Sequence, residues 1–363
     1  MNVVALDLLK RIVDNGYSAY LVGGYPRDFY LGKTSIDYDI CTSATPKELK
    51  EIFSASILKT EQYGSVTLIE QNTRFEITTF RRDIKYLNNR KPIEIEYIDS
   101  LVDDLKRRDF TMNTMCIDYN GTLIDLMNGK KDIDNRIIRT VGDADYKIGE
   151  DSLRILRAIR FATVLDFDLD ESLKLAIIKH KDLLKNLSYY RKKEELDKIF
   201  SNTNSKKGIE LIKELGLAEP LELSNMDNLV ITTYLIGIWA QLDVIDKYSF
   251  NNTEKDSIKK INELMEKDVL DNMNLYNYGL YISTVVAEIK GIDVKLVTER
   301  YEHLYIHNKT EIKIGANEIC RLLNRKPGSF LKNIFNDLET MLVNKKIKNE
   351  IVDLSDYIIK TYR

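Results

Sequence analysis

Up to about residue 140 the chain alternates short β-rich runs (AYLV, YDIC, SVTLIE, RFEITTF, IEIEYI, MCIDY, TLIDL) with stretches of helical pattern. From Asp151 onward such runs become rare. Apolar residues then recur at about 3.6-residue spacing, as in DSLRILRAIRFATVL, SLKLAIIKHKDLLKNL and KKGIELIKELG. The first part predicts a sheet with packed helices, and the second predicts a helical array. The boundary is a change of texture with no low-complexity tract. The opening MNVVALDLLKRIVDNGYSAYLV reads as an amphipathic helix stopped at Asn15-Gly16 and followed by a strand. Asp7, Lys10 and Arg11 interrupt its apolar run, which argues against a signal peptide. The longest apolar run, LVITTYLIGIWAQL from Leu229, is shorter than the roughly 20 residues of a membrane span and predicts a buried helix.

Composition narrows the classes. Of the 363 residues 44% are hydrophobic and 31% charged, the balance of a soluble globular protein with no membrane partner. Cys41, Cys116 and Cys320 lie far apart without a CxxC pair, so no disulfide framework or thiolate zinc site is expected, and a cytoplasmic, reducing location fits. His303 and His307 are spaced i, i+4 but lack an HExxH core; with His180 as the remaining histidine, histidine metal chemistry is not expected. A net charge of -3 gives no global signature of nucleic-acid binding. Any RNA contact would use local patches such as Arg191, Lys192 and Lys193, or Arg325, Lys326 and Lys332, although from charge alone each reads as a solvated helix face.

The chemistry concentrates near the start. In IDYDICTSATP a strand would project Asp37 and Asp39 to one side and Tyr38 to the other. Two like charges so close become useful when a divalent cation neutralises them, and magnesium is commonly held by one or two carboxylates together with substrate phosphates. Just upstream, LVGGYPRD is a strand ending in Gly23-Gly24 and entering a helix with Pro26 in its first turn. Glycines there let backbone N–H groups approach an anion, and Arg27 can pair with phosphate oxygens. A triphosphate beside carboxylate-bound magnesium is the layout of phosphoryl or nucleotidyl transfer, and GxxxxGK[ST] is absent.

Together LVGGYPRDFYLG, IDYDICTSATP, RRDFTMNTM (107–115), GTLIDLMNGKKDI (121–133) and GEDSLRILRAIRFA (149–162) resemble the class II tRNA nucleotidyltransferases, the CCA-adding enzymes, and the related bacterial poly(A) polymerases. Weaker matches at LSYYRKKEELDKIF and IGANEICRLLNRKPGSFLKNIF extend the resemblance over nearly the whole chain. It implies an α+β architecture: a nucleotidyltransferase-fold mixed-sheet head (1–140), a helical neck (141–200), a body (201–290) and a tRNA-binding tail (291–363). It also implies tRNA, CTP and ATP as substrates, with no protein partner. Asp37 and Asp39 match the family's carboxylates for two Mg2+ ions, and Gly24, Arg27 and Arg108 match positions contacting the incoming nucleotide. Glu76 reads either as an additional carboxylate or as a solvent-facing strand residue.

In the same resemblance Asp151 and Arg154 match the nucleobase-selecting pair, on a helix stripe continued by Arg157 and Arg160. Without the resemblance, that stripe reads as an ion-pair ladder. The chemistry supports the match: a carboxylate accepts, a guanidinium donates, and cytosine and adenine both present an amino donor beside a ring-nitrogen acceptor. Uracil and guanine present the opposite order, so each mispaired buried group costs on the order of 1–3 kcal/mol. Arg157 and Arg160 suit either phosphate contact or support of the selecting pair. RRDIKYLNNRKP (81–92) reads as a mobile loop, corresponding to the one that helps the family accept ATP after two cytidines, or else as an inert hairpin connection. The chain departs from the family pattern at Pro26, at Tyr190 and in lacking the usual basic-aromatic pair before the acid of YKIGEDSLR, none of which touches Asp37, Asp39 or the Asp151/Arg154 pair. A-only addition, poly(A) synthesis and catalytically silent RNA binding stand as alternatives.

Overall fold

A computed structural model describes residues 2–53, 57–60, 64–87 and 91–363. They form two compact units, Met1–Glu222 and Leu223–Arg363.

The first unit opens with α1 (Val3–Asp14), whose N-cap Asn2 accepts from the Val4 and Ala5 N–H groups; Asn15 caps its other end, as the sequence predicts. Then follow β1 (Ala19–Val22), α2 (Gly24–Tyr30), β2 (Tyr38–Thr42), α3 (Pro46–Phe53), β3 (Ile57–Thr60), β4 (Ser65–Glu70) and β5 (Thr73–Thr79). After a separate hairpin, β6 (Arg81–Leu87) and β7 (Lys91–Tyr97), come α4 (Leu101–Lys106), β8 (Cys116–Ile117) and β9 (Leu123–Ile124). The main sheet has seven strands in the order β3-β4-β5-β2-β1-β8-β9. It is mixed because β2 runs parallel to β5 while the other pairs are antiparallel.

Alternation along the strands sorts side chains to two faces. Leu21, Ile40, Leu68, Phe75 and Ile77 pack against Leu8, Leu9 and Ile12 of α1 and Leu49 and Phe53 of α3. The opposite face carries a smaller cluster, Val22, Cys41, Phe80, Leu105 and Cys116. That face keeps room for polar groups.

The helical region continues with α5 (Gly129–Asp134), β10 (Ile137–Ile138), α6 (Ala144–Glu150), α7 (Leu153–Leu165), β11 (Asp168–Leu169), α8 (Glu171–His180), α9 (Tyr189–Phe200) and α10 (Ser205–Glu214). One short parallel ladder, β10 with β11, interrupts the expected all-helical texture. Helix α7 is buried along most of its length and packs on α9 and α10. At Gly208 of α10 an added Cβ would fall 2.4 Å from Ile199 Cγ2 and 2.5 Å from Thr163 Oγ1, so the absence of a side chain sets the helix spacing.

The second unit is helical: α11 (Leu235–Ala240), α12 (Asn252–Met265), α13 (Asn272–Lys290), α14 (Val294–Glu302), α15 (Ala316–Leu322), α16 (Phe330–Val343) and α17 (Ile351–Tyr362). No helix among the described residues is long and apolar enough to cross a membrane.

Three sequence expectations need correction. The apolar run from Leu229 is helical only over Leu235–Ala240; before it, Gln241 holds the Val230 N–H and C=O in a bent path. Residues 81–87 and 91–97 are antiparallel paired strands, which corrects the mobile-loop reading in favour of its hairpin alternative; residues 88–90 lie outside the described residues. In the basic run on α9, Lys192 and Lys193 are buried, Lys192 over the Tyr189 ring and Lys193 on Asp197, leaving Arg191 exposed. By contrast Arg325, Lys326 and Lys332 are exposed. His303 and His307 each bond a backbone carbonyl, of Glu299 and Tyr301.

Gly208→Ala is expected to destabilise the protein by about 1–3 kcal/mol through overpacking; an unchanged urea midpoint would show that α10 can shift at little cost.

Candidate active site

On the less covered face of the sheet a cleft of about 460 Å³ is lined by every residue that the sequence reading assigned to the site: Gly24, Arg27, Asp37, Asp39, Arg108, Asp151, Arg154, Arg157 and Arg160. Gly23, Arg81, Asp83, Arg107, Asp109, Asn113 and Phe161 complete the lining.

The acidic side comes from β2. Tyr38 turns into the core, where its ring lies 4.9 Å from that of Tyr25 and 5.4 Å from that of Phe75, so its two neighbours face away from that core. Asp39 is paired in register with Val22 on β1 and Glu76 on β5; Asp37 stands one residue before the strand begins. Burial, then the charges of Asp37 and Glu76, push the Asp39 carboxyl up to about 6, against the opposing pull of Arg108 and Arg157. Gly23 has a φ of +80°, and a Cβ there would come within 3.1 Å of Asp39 Oδ2. The first glycine of the pair is therefore required by both backbone conformation and proximity to the carboxylate. Gly24 begins α2 with no comparable crowding, its nearest neighbour being Arg27 Nη2 at 3.6 Å from the added Cβ.

The basic side is braced by acids and an amide. Arg27 donates to Asp28 Oδ1 at 2.9 and 2.8 Å and to Asn113 Oδ1 at 2.8 Å. Asn113 Nδ2 donates to Asp109 at 3.3 Å, and Asp109 accepts two bonds from Arg157, at 2.8 and 2.5 Å. Burial would raise the Asp109 carboxyl, but Arg157 outweighs it and holds the group down at about 2. Arg160 contacts Glu195 of α9 at 2.9 Å, although neither Arg160 Nε nor Glu195 Oε2 has an aligned hydrogen bond. The guanidiniums of Arg27, Arg157 and Arg160 lie 5.3, 5.4 and 4.3 Å from the centroid of one ring, Phe161. An aromatic face attracts cations that would otherwise repel each other.

Arg108 is anchored from below. The fully buried Asp104 of α4 accepts from Arg108 Nη2 at 3.1 Å, Arg107 Nε at 2.8 Å and the Arg81 N–H at 3.2 Å. Burial pushes the Asp104 carboxyl up, but Arg108 and Arg107 hold it below its ordinary range.

Asp151 departs from the expected stripe. Helix α7 begins at Leu153, and Asp151 is the C-terminal cap of α6, extended at φ -138° and ψ 103°. Its Oδ1 accepts the Leu153 N–H at 3.0 Å, which orients the carboxylate toward the start of the helix. Arg154 is buried; Nη1 donates to the Lys147 carbonyl (2.8 Å) and Glu150 Oε2 (2.6 Å), and Nη2 to the Arg107 carbonyl (3.0 Å).

Sequence reasoning missed Asp104, Asp109, Asn113, Glu195 and Phe161. Asp109 and Asn113 sit inside RRDFTMNTM, where their charge and amide were a usable signal. Phe161 follows the apolar period of α7 and reads as core, and nothing in LVDDLK separates Asp104 from an exposed helical acid.

Comparison with known proteins agrees with this geometry. Residues 19–139 match the family model described as "Poly A polymerase head domain", and residues 166–226 match "Probable RNA and SrmB- binding site of polymerase A". Residues 229–358 match a model for tRNA nucleotidyltransferase domain 2. The CCA-adding enzyme of Streptococcus uberis is 32% identical, covering 98% of this chain and 96% of its own length. That of Lactococcus lactis subsp. lactis is 33% identical, covering 96% and 94%. The crystal structure of the Bacillus stearothermophilus CCA-adding enzyme in complex with CTP superposes with a TM-score of 0.81 at 27% identity, covering 98% of this chain and 96% of that one. Similarity over almost the full length of both partners places the chain in the bacterial tRNA nucleotidyltransferase and poly(A) polymerase family, among the CCA-adding enzymes.

Proposed function

We propose that this chain completes the 3′ end of tRNA with C, C and A, taken from CTP and ATP with release of pyrophosphate, and that its own side chains choose the base. The observation that carries this reading is the meeting in one cleft of Asp37, Asp39, the arginine set and the Asp151/Arg154 pair.

Asp37 and Asp39 would hold Mg2+. The donor set fits: hard carboxylate oxygens, one of them pushed up to about 6 by burial and then by the charges of Asp37 and Glu76, a charge excess that a dication would neutralise. Bound there, magnesium would lower the pKa of the primer's 3′-hydroxyl and neutralise charge on the α-phosphate as pyrophosphate leaves. Glu76 is an exposed neighbour that adds negative potential at Asp39. Backbone N–H groups after Gly23, with Arg27 and Arg108, would receive the triphosphate; both guanidiniums are already oriented, so little ordering is needed when the anion arrives. Arg157 and Arg160 are engaged by Asp109 and Glu195, which favours a role in holding the site's shape over direct base contact.

Asp151 would accept the exocyclic amino group of cytosine or adenine, and Arg154 would donate to N3 of cytosine or N1 of adenine. Uracil or guanine would set donor against donor, at a discrimination of roughly a hundredfold for two mismatched groups. The head (1–140) would carry the chemistry, and the neck (141–200), body (201–290) and tail (291–363) would hold the tRNA, with exposed Arg325, Lys326 and Lys332 suited to its backbone. Three buried free cysteines suit a reducing compartment, the cytoplasm.

The test is incubation with Mg2+ and each nucleotide on tRNAs ending before the first C, before the second C and before the A. Stepwise growth that stops at CCA supports the proposal. Growth only from the CC end would make the protein an A-adding specialist, long A tails would make it a polymerase, and no incorporation would leave RNA binding alone.

Asp37→Ala and Asp39→Ala are each expected to abolish incorporation of both nucleotides while tRNA binding persists; near-wild-type CTP addition would reject the carboxylate assignment. Arg154→Ala should relax the choice of CTP over UTP more than it weakens triphosphate binding, and an unchanged preference would count against selection by this pair.

Asp39→Asn should also stabilise the metal-free protein. The folded carboxyl titrates near 6 against an ordinary 3.8, so between those values the folded chain keeps a proton that the unfolded chain has lost. Stability therefore falls as pH rises through that window and stays lower above it. At about pH 7.5 the variant should gain about 1–3 kcal/mol; a lower melting temperature than wild type would contradict this.

A further inference from the structure

The C-terminal turn of α4 offers carbonyls that the helix itself cannot pair. Two cations from the α6–α7 segment dock on it. Lys147 Nζ donates to the Lys106 carbonyl at 2.7 Å, and Arg154 Nη2 donates to the neighbouring Arg107 carbonyl at 3.0 Å. Lys147 reaches Arg154 a second way, because its own carbonyl accepts from Arg154 Nη1 at 2.8 Å. Glu150 stands between the two cations, 2.6 Å from Arg154 and 3.8 Å from Lys147 Nζ. Lys147 is 7% exposed, an unusual position for an ammonium group, and it is spent on fastening the last turn of α6 to the end of α4.

We propose that Lys147 is a positioning residue for base selection. Its side chain locks α6 onto α4, so that its carbonyl and Glu150 present Arg154 at a fixed height in the cleft. This inference rests on the reading of Arg154 as a base-selecting side chain. The contacts explain why a lysine is buried beside an arginine, an arrangement that costs desolvation and repulsion unless geometry is the return. Burial first, and then Arg154, push the ammonium down to about 8, while Glu150 of its own helix, Asp109 after α4 and Asp83 of β6 pull the other way.

The experiment measures kcat/KM for CTP and UTP on a tRNA awaiting its first C, using wild type, Lys147→Met, Lys147→Arg and Arg154→Ala, each checked for folding by circular dichroism. Lys147→Met should cut the CTP-over-UTP preference about tenfold, the scale of one lost charged hydrogen bond, and Lys147→Arg should restore most of it. Wild-type preference should also decline between about pH 7 and about pH 9 as the ammonium loses its proton, whereas Lys147→Arg keeps its charge and stays flat. The pH comparison decides the matter if Lys147→Met does not fold. Wild-type preference in Lys147→Met, or parallel pH profiles for wild type and Lys147→Arg, would overturn the role of Lys147 while Arg154→Ala still relaxes selection. Unchanged preference in Arg154→Ala would instead remove the base-selection reading, and this inference with it.

Discussion

Asp37 and Asp39 crowd two negative charges at the mouth of one strand, and the surrounding architecture is arranged to tolerate that. The strand places Tyr38 in the core so that both acids face the cleft, and Gly23 gives way to Asp39 by having no side chain. Burial, and then the neighbouring charges of Asp37 and Glu76, hold the Asp39 carboxyl up at about 6. Chemistry that brings a cation and a triphosphate together makes such crowding useful, since each guest lowers the cost of the other.

Opposite the acids, the arginines are not left to self-repulsion. Asp104 holds Arg107 and Arg108, Asp109 holds Arg157, Asp28 and Asn113 hold Arg27, and Phe161 offers its ring to three of them. Each brace fixes a donor before substrate arrives, and preorganised donors are worth more than mobile ones because no reorganisation accompanies binding. The braces come from elements distant in sequence. Asp109 precedes Arg157 by 48 positions, yet the two meet at 2.5 Å, so the site and the packing of α7 against the sheet domain form together.

The mixed sheet and the helical remainder were legible in the sequence because each rests on a local rule, period-2 alternation and an apolar period of about 3.6 residues. The same kind of rule pointed to Asp37, Asp39 and the glycines before a helix, whereas Arg108, Asp151 and Arg154 were found only through the motifs' resemblance to a family. What escaped was set by tertiary contacts. Asp151 was expected on the arginine helix, yet that helix starts at Leu153 and Asp151 stands extended between α6 and α7, its carboxylate accepting the Leu153 N–H. The hairpin at 81–97 looked like a loop because its charges and asparagines obscure a ladder made by backbone groups. Lys192 looked solvated, but folding buries it with its ammonium over the Tyr189 ring. Asp104 carried no signal at all, since burial is decided by neighbours that sequence spacing does not reveal.

The central claim is that the paired carboxylates and the braced arginines act as one receptor, with the acids admitting the triphosphate through a divalent cation. Calorimetric titration of a non-hydrolysable CTP analogue, with and without Mg2+, into wild type and the Asp37→Asn/Asp39→Asn double variant tests it directly. The account predicts that Mg2+ strengthens binding by more than about tenfold in wild type, a coupling of ~1.4 kcal/mol, and by much less in the variant. Equal dependence on Mg2+ in both proteins would contradict it.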